Sequence, residues 1–402
     1  MELRVRLERL AHGMSQELEH NILPFWLRLE DRDHGGHYGA MDLSGRIEPR
    51  SPKAAVFVSR LLWTLSQVGS AKGDQACLAQ ASRTKRFLLD HVRDRQHGGF
   101  FWSVSHEGSP LEADKHVYAQ AFSIYALSAH ARATADAESL AAAQELFALI
   151  EERSRQPGGG YGEAFDREWR PIENRRLAPH GGVGTLTSNT HLHLIEAYTA
   201  LAEAWADARP FTALRKLVVL FLESFLAAGG THSHQTLSPR LEPYPGPASS
   251  GHDIEISWLI EAAGDVLADG ELSGRLRAAS AGLAAFAAQN GQARDGGWFT
   301  AGLNGSPVGV YREAWAQAEA VVGLVNAATR GNLPEMMDRA EATWTFIVRL
   351  MIDRAGGDWF EAVNKLGQPR PNGPKVGPWK DPYHQARACL EIARRSRLLQ
   401  SN

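Results

Sequence analysis

Cysteine is nearly missing from this chain: Cys77 and Cys389 are the only two in 402 residues. They form no spaced pair, which excludes a disulfide framework or a cysteine-held metal and makes a reducing cytoplasm the expected compartment. An excess of one charge is missing too. Lys and Arg number 43 against 46 Asp and Glu, a net charge of -3, so there is no basic stripe for nucleic acid. No apolar run approaches the length of a membrane-spanning helix. The opening segment MELRVRLERLAHGMSQELEH reads as an amphipathic helix without the apolar centre of a secretion signal. Nucleotide fingerprints such as GxGxxG or a P-loop are absent. So are the Val/Ile runs alternating with helices that βαβ units require.

Glycine is plentiful, and it comes in pairs. Gly35-Gly36, Gly98-Gly99, Gly158-Gly159, Gly229-Gly230, Gly296-Gly297 and Gly356-Gly357 are spaced by 63, 60, 71, 67 and 60 residues. Four carry aromatics at once: GGFFW, GGGYG, GGWFT and GGDWF. A period of this length means one supersecondary unit used six times. Before each doublet lies a helical pattern: Glu17 to Leu29, Ala76 to Arg93, Ala137 to Arg153, Phe211 to Ala227, Leu272 to Gln289 and Glu335 to Ile352. A second helix follows each doublet, beginning near Ser51, Asp114, Ser188, Ser250, Val310 and Asp381. Ser and Asp suit those starts as N-caps. Twelve helices in six hairpins predict an all-α (α/α)6 barrel, second helices inside, as a single domain over residues 1–402.

In such a barrel the inner helices are parallel, and their N-terminal ends share a rim. Arg60, Tyr118, Asn189, His191, His193, His252, Glu255, Trp315, Trp379 and His384 all fall at or near inner-helix starts. Residues scattered over more than 300 positions would then line one pocket, and convergent polar and aromatic groups in a concavity mark a binding site.

Particular clusters sharpen this. His252 and Glu255 in HDIE share a helix face, where a carboxylate fixes the imidazole tautomer. His191 and His193 point to different faces, so His193 is assigned to the pocket and His191 to packing. His-x-His is also a metal signal, but no carboxylate or cysteine follows at ligand spacing and no metal is expected. Arg60 lies inside an apolar helix. It either pairs with a structural carboxylate or polarises a substrate oxygen. Trp315 and Trp379 suit stacking on a sugar ring. Trp63, Trp258 and Trp344 read as core. His232 and His234 fall near the rim without an assigned role.

Long motifs carry a family resemblance. NTHLHLIEAYTAL, GHDIEISWLI, REAWAQAEAVVGL and GPWKDPYHQARACLEI, with FWLRLEDRDHGGHYG near the start, resemble the cellobiose 2-epimerases of the N-acylglucosamine 2-epimerase superfamily. The resemblance covers nearly the whole chain and implies the same barrel and a cofactor-free reaction on a sugar. It implies that His252 and His384 are the acid/base pair and that His193 contacts the reacting sugar. Arg60, Tyr118, Asn189 and Glu255 would surround that sugar, with Trp315 and Trp379 as aromatic walls. One departure concerns size: the family carries a glutamate for the second sugar where this chain has Ala301.

The chemistry expected of these residues is inversion at C2 of an open-chain aldose, by proton transfer between two histidines through a cis-enediolate. Proton return to C1 instead would make the protein a mannose–fructose isomerase. A glycoside hydrolase on the same fold would need two opposed carboxylates, with Glu255, Glu313, Asp114 and Asp381 as candidates. A non-catalytic sugar-binding role is the third alternative.

Overall fold

A computed structural model describes residues 2–178, 181–303 and 306–401. Asn304 and Gly305 of the GGWFTAGLNGSP segment lie outside these. Among the described residues the chain is built from helices and short strands. The first repeat holds α1 (Glu2–Glu17), α2 (Leu23–Leu27) and α3 (Ala55–Lys72). Then come α4 (Gln75–Phe87), α5 (Val117–Thr134), α6 (Ala137–Arg153) and α7 (Ser188–Ala204). They are followed by α8 (Ala208–Leu220), α9 (Ser250–Leu267) and α10 (Gly270–Gly291). The last are α11 (Ala314–Thr329), α12 (Met336–Phe346) and α13 (Tyr383–Ser401).

Six of these pack in a closed ring: α3 on α5, α5 on α7, α7 on α9, α9 on α11, α11 on α13, and α13 back on α3. Their sequences explain the inner position. In α11, every residue from Ala316 to Ala328 is buried, and a helix apolar all round belongs in a core. Abundant Ala lets the backbones approach. The outer helices α1, α4, α6, α8, α10 and α12 bury one face only. The (α/α)6 barrel expected from the repeat is the observed fold.

Two details differ from expectation. Each outer helix packs mainly on the inner helix before it, α4 on α3 for example, and α1 closes the ring on α13. The tight hairpins therefore run from inner to outer helix, across short turns capped by Asp74, Asp136, Asp207 and Asp269. Three inner helices also start later than expected, at Ala55, Val117 and Ala314. The residues just before them form short strands instead. Lys53–Ala54, Lys115–His116 and Arg312–Glu313 each pair with a strand of the next repeat's loop, as does Leu186–Thr187 before α7, whose start is as expected.

The doublets build the turns that return the chain to those strands. Gly98 and Gly99 have φ of 73° and 69°, a left-handed region that favours glycine. A Cβ on Gly99 would lie 2.7 Å from the Trp169 ring. The Asp94 N–H donates to Gly99 O at 2.8 Å, and Gly98 N–H returns a bond to Asp94 O at 2.9 Å. Beneath this turn the fully buried Lys115 donates to Asp94 at 2.9 Å. Lys53 repeats the arrangement with Asp31 at 2.7 Å. Turn and inner-helix start are thereby locked together.

Candidate active site

The N-terminal ends of the inner helices open onto a cavity of about 340 Å³. Arg60, Tyr118, Asn189, His193, His252, Glu255, Trp315, Trp379 and His384 all line it. Arg176, Leu177, Glu313 and Glu361 complete the wall. The repeat thus brings the nine singled-out side chains to one place.

Arg60 from α3 is buried and donates from Nη1 to Asp381 Oδ2 at 3.1 Å and from Nη2 to the Tyr118 hydroxyl at 2.8 Å. Of the two readings open for it, the carboxylate pairing is realised, while the guanidinium still borders the cavity. His193 Nδ1 donates to Glu196 at 3.0 Å. His191 faces away: its Nδ1 donates to Thr187 O at 2.8 Å and its Nε2 accepts from Tyr161 N–H at 3.1 Å. With both its nitrogens engaged, the pair makes no chelate with His193.

His252 and His384 lie on either side of Trp315, whose ring centroid is 5.1 Å from the first and 5.7 Å from the second. The two helices that carry them are separated by α11 alone, so the histidines do not face each other across the full barrel. His252 Nδ1 donates to Gln235 Oε1 at 3.1 Å. His384 Nδ1 donates to Glu319 Oε1 at 2.7 Å. The expected partnership of His252 with Glu255 is not formed. Glu255 accepts from Arg387 Nη2 at 2.5 Å and stands 4.0 Å from His384. The i, i+3 pairing exists, but at His193 and Glu196.

Under the cavity, Arg387 gathers three carboxylates. It donates to Glu196 and Glu255, and to Glu319 at 2.7 Å. Tyr383 adds a hydroxyl to Glu196 at 2.6 Å. Burial lowers the affinity of His252 for protons, to a pKa of about 4. His384 is pushed well below the usual imidazole value by burial, then by Arg60 and Arg387. Burial and the Glu319 charge raise Glu255, and burial raises Glu319. Glu196 goes the other way: burial is outweighed by Arg387 and by the His193 and Tyr383 bonds, which hold it at about 2. Both rim histidines therefore stand neutral, with Nδ1 as donor and Nε2 free to accept a proton.

Glu319, Glu196, Gln235 and Arg387 escaped the sequence reading. Gln235 ends the GTHSHQ segment whose histidines drew notice, yet His232 and His234 are not cavity residues. Glu319 had one signal, a carboxylate inside the Ala-rich AWAQAEAVVGL. Trp63 and Trp258 are buried but are not core packing alone: they border a second cavity toward the opposite barrel end. Trp258 also donates to Glu319 Oε2 at 3.1 Å. Each carboxylate considered for a hydrolase is held by an arginine. Asp381 pairs with Arg60, Glu255 with Arg387, Glu313 with Arg370 and Asp114 with Arg176.

A closed helical barrel hosts sugar-converting enzymes of more than one class, and the comparisons with known proteins decide between them. The family model for N-acylglucosamine 2-epimerase (GlcNAc 2-epimerase) matches residues 36–388. A cellobiose 2-epimerase of Bacteroides fragilis is 37% identical over 96% of this chain and 99% of its own length. The solved cellobiose 2-epimerase of Bacillus thermoamylovorans superposes with a TM-score of 0.91 at 34% identity, over 96% of this chain and 100% of that one. A D-mannose isomerase of Thermobifida fusca is more distant, 23% identical over 94% of each chain. The chain belongs to the N-acylglucosamine 2-epimerase family and is a carbohydrate epimerase or isomerase.

Proposed function

We propose that this protein is a cofactor-independent sugar 2-epimerase, a cytoplasmic single-domain enzyme that inverts C2 of a glucose- or mannose-configured reducing sugar. The observation that carries this reading is the pair His252 and His384. Each is bonded through Nδ1, and both line the cavity beside the Trp315 ring.

The sugar ring opens first, so that the C1 aldehyde acidifies the C2 hydrogen. One histidine takes that proton at Nε2, and the C–H electrons pass into a cis-enediolate. The other histidine, which has taken up a proton at Nε2 from solvent before the step, delivers it to the opposite face of C2, so the two imidazoles exchange protonation states and the proton count is unchanged. Arg60 and His193 stabilise the developing oxyanion from fixed positions. Tyr118, Asn189 and Glu255 hold the reacting sugar, and Trp315 and Trp379 form apolar walls. Trp379 is half exposed, at 51%, which suits a wall at the mouth.

Ala301 supports a small substrate. It follows Thr300, whose carbonyl accepts from Ser249 Oγ at 3.1 Å and Gly251 N–H at 3.2 Å, directly beside the start of α9. A methyl there offers no hydrogen bond to a second sugar. Free mannose and glucose are therefore substrates at least as good as cellobiose. Ketose release, as in the D-mannose isomerases, is the second reading. The test is incubation with glucose, mannose and cellobiose in deuterated water, followed by NMR. Deuterium at C2 of the epimer is expected. A ketose as main product favours the isomerase, release of a reducing end favours a hydrolase, and no change on any sugar removes the proposal.

A further inference from the structure

Among the described residues, two groups of three metal-ligating side chains stand close enough to share one ion. In the first, Glu255, Glu319 and His384, the Arg387 guanidinium already supplies the positive charge. The second is His34, His106 and Glu107, none of them a cavity residue. One donor atom from each lies within 4.8 Å of the other two. His106 Nε2 and Glu107 Oε1 are 3.6 Å apart, and the two imidazole rings meet edge to face with centroids 5.0 Å apart. Donors around a tetrahedral zinc are separated by about 3.4 Å, so small rotations of three solvent-accessible side chains close the set. Their backbones are already fixed. His34 precedes the first glycine doublet, and its N–H donates to the buried Asp31 carboxylate at 3.1 Å. His106 and Glu107 are the central residues of a tight turn, in which Gly108 N–H donates to Ser105 O at 3.0 Å and Gly108 has a φ of 93°. That turn extends the strand Ser103–Val104, which pairs with Lys53–Ala54 of the first repeat.

We propose that His34, His106 and Glu107 form a zinc site that joins the first glycine-doublet turn to the hairpin of the second repeat. The donors select the metal. Two imidazole nitrogens with one carboxylate oxygen suit Zn2+, whereas Ca2+ and Mg2+ prefer oxygen donors throughout. Water completes the fourth position. Asp31 Oδ1 stands 3.6 Å from His34 Nδ1, the kind of outer carboxylate that orients a metal-bound imidazole. The histidines are more than 70 positions apart in the chain, so the ion cross-links two repeats and closes a long loop. An ion that binds the folded chain and not the unfolded one stabilises the fold by mass action. The role of this site is therefore to hold the rim together, apart from the proton transfer, and it stands independently of the epimerase reading.

The experiment titrates the full, untagged, metal-stripped chain with zinc chloride near neutral pH, by calorimetry, and follows the melting temperature with and without the ion. Wild type is compared with His34→Ala, His106→Ala and Glu107→Gln, and with His20→Ala at an exposed histidine elsewhere. Wild type is expected to bind a single equivalent of Zn2+. His34→Ala and His106→Ala each remove a ligand and should weaken binding by at least about 10²-fold, the upper end of what losing an outer supporting group costs. Glu107→Gln weakens it as well, and His20→Ala leaves it unchanged. Zinc should raise the melting temperature of wild type and of His20→Ala, and not that of the two ligand variants. Sugar turnover per folded molecule is expected to be the same in wild type and in the ligand variants. A wild-type chain that takes up no zinc overturns the proposal. So does wild-type affinity in His34→Ala, His106→Ala or Glu107→Gln, and if one of these does not fold the other two decide. Zinc lodged instead at Glu255, Glu319 and His384 would abolish turnover and bind His34→Ala as tightly as wild type, which also overturns it.

Discussion

At each rim histidine Nδ1 is anchored, and under the proposed mechanism Nε2 serves the sugar, so removing either imidazole removes a proton carrier without emptying the core. His252→Ala and His384→Ala are each expected to lower turnover by about 10²–10⁴-fold, with the helical circular dichroism unchanged. Near-wild-type turnover in a folded variant would end the two-histidine mechanism. The pH dependence follows from burial. A base works when deprotonated, and His252 stays deprotonated down to about 4. The acidic limb of kcat/KM should therefore fall below the ordinary histidine value of about 6.5. A limb at or above that value would contradict the buried, neutral imidazole. Residue types and their rim position were legible in the sequence, because the repeat fixes which helix ends meet. Partners were not. HDIE and HLIE both offer His and Glu three apart, and only His193–Glu196 forms the bond. Glu255 is drawn instead to Arg387, more than a hundred residues away in the chain, and no local pattern records that.

Between neighbouring elements the contacts are close enough for single methyl groups to matter. Gly251 lies in the first turn of α9, one residue before His252, and a Cβ on it would lie 2.7 Å from the Trp315 ring. Gly251→Ala should push that ring from its place between the histidines. Turnover is expected to drop about 10- to 100-fold with the melting temperature little changed; unchanged turnover would show that Trp315 does not set the spacing. The locks under the doublet turns are a matter of stability instead. Lys53 and Asp31 are both fully buried. Lys53→Met leaves a buried carboxylate unpaired and should cost about 3–5 kcal/mol, read as a lowered denaturation midpoint. Adding Asp31→Leu should recover much of the loss, and failure to recover any would mean the pair does not act as a unit. The doublets announced these turns, because the left-handed backbone they need favours glycine. The order of the hairpins was less visible. Its signal was the aspartates at 74, 136, 207 and 269, which cap the outer helices and mark the short turns.

Ring closure is the property of the whole molecule that the period made legible: six units of one kind have a first and a last member, and α1 meets α13. What the period leaves open is the reach of the cavity beyond the reacting sugar, since that depends on irregular loops rather than on the repeated helices. The proposed reacting end has Arg60, Tyr118, Asn189, His193, Glu255 and both rim histidines around one cavity. The outer end has the half-exposed Trp379, Arg176 already paired to Glu112 and Asp114, and Glu313 and Glu361 bridged by Arg370. Its charged groups are largely committed to one another, and Ala301 adds none. A site that bonds a hydroxyl discriminates strongly for it, and one without that partner does not. A second sugar would gain apolar contact with Trp379 but few new polar bonds, while paying the cost of being ordered. The ratio of kcat/KM for mannose to that for cellobiose is therefore expected to be one or greater. Ala301→Glu should lower that ratio, chiefly through a smaller KM for cellobiose, because it supplies an acceptor next to the start of α9. A wild-type ratio far below one would place the recognition of the second sugar in Trp379 and the Arg370 pair, and Ala301 would then have no part in choosing the substrate.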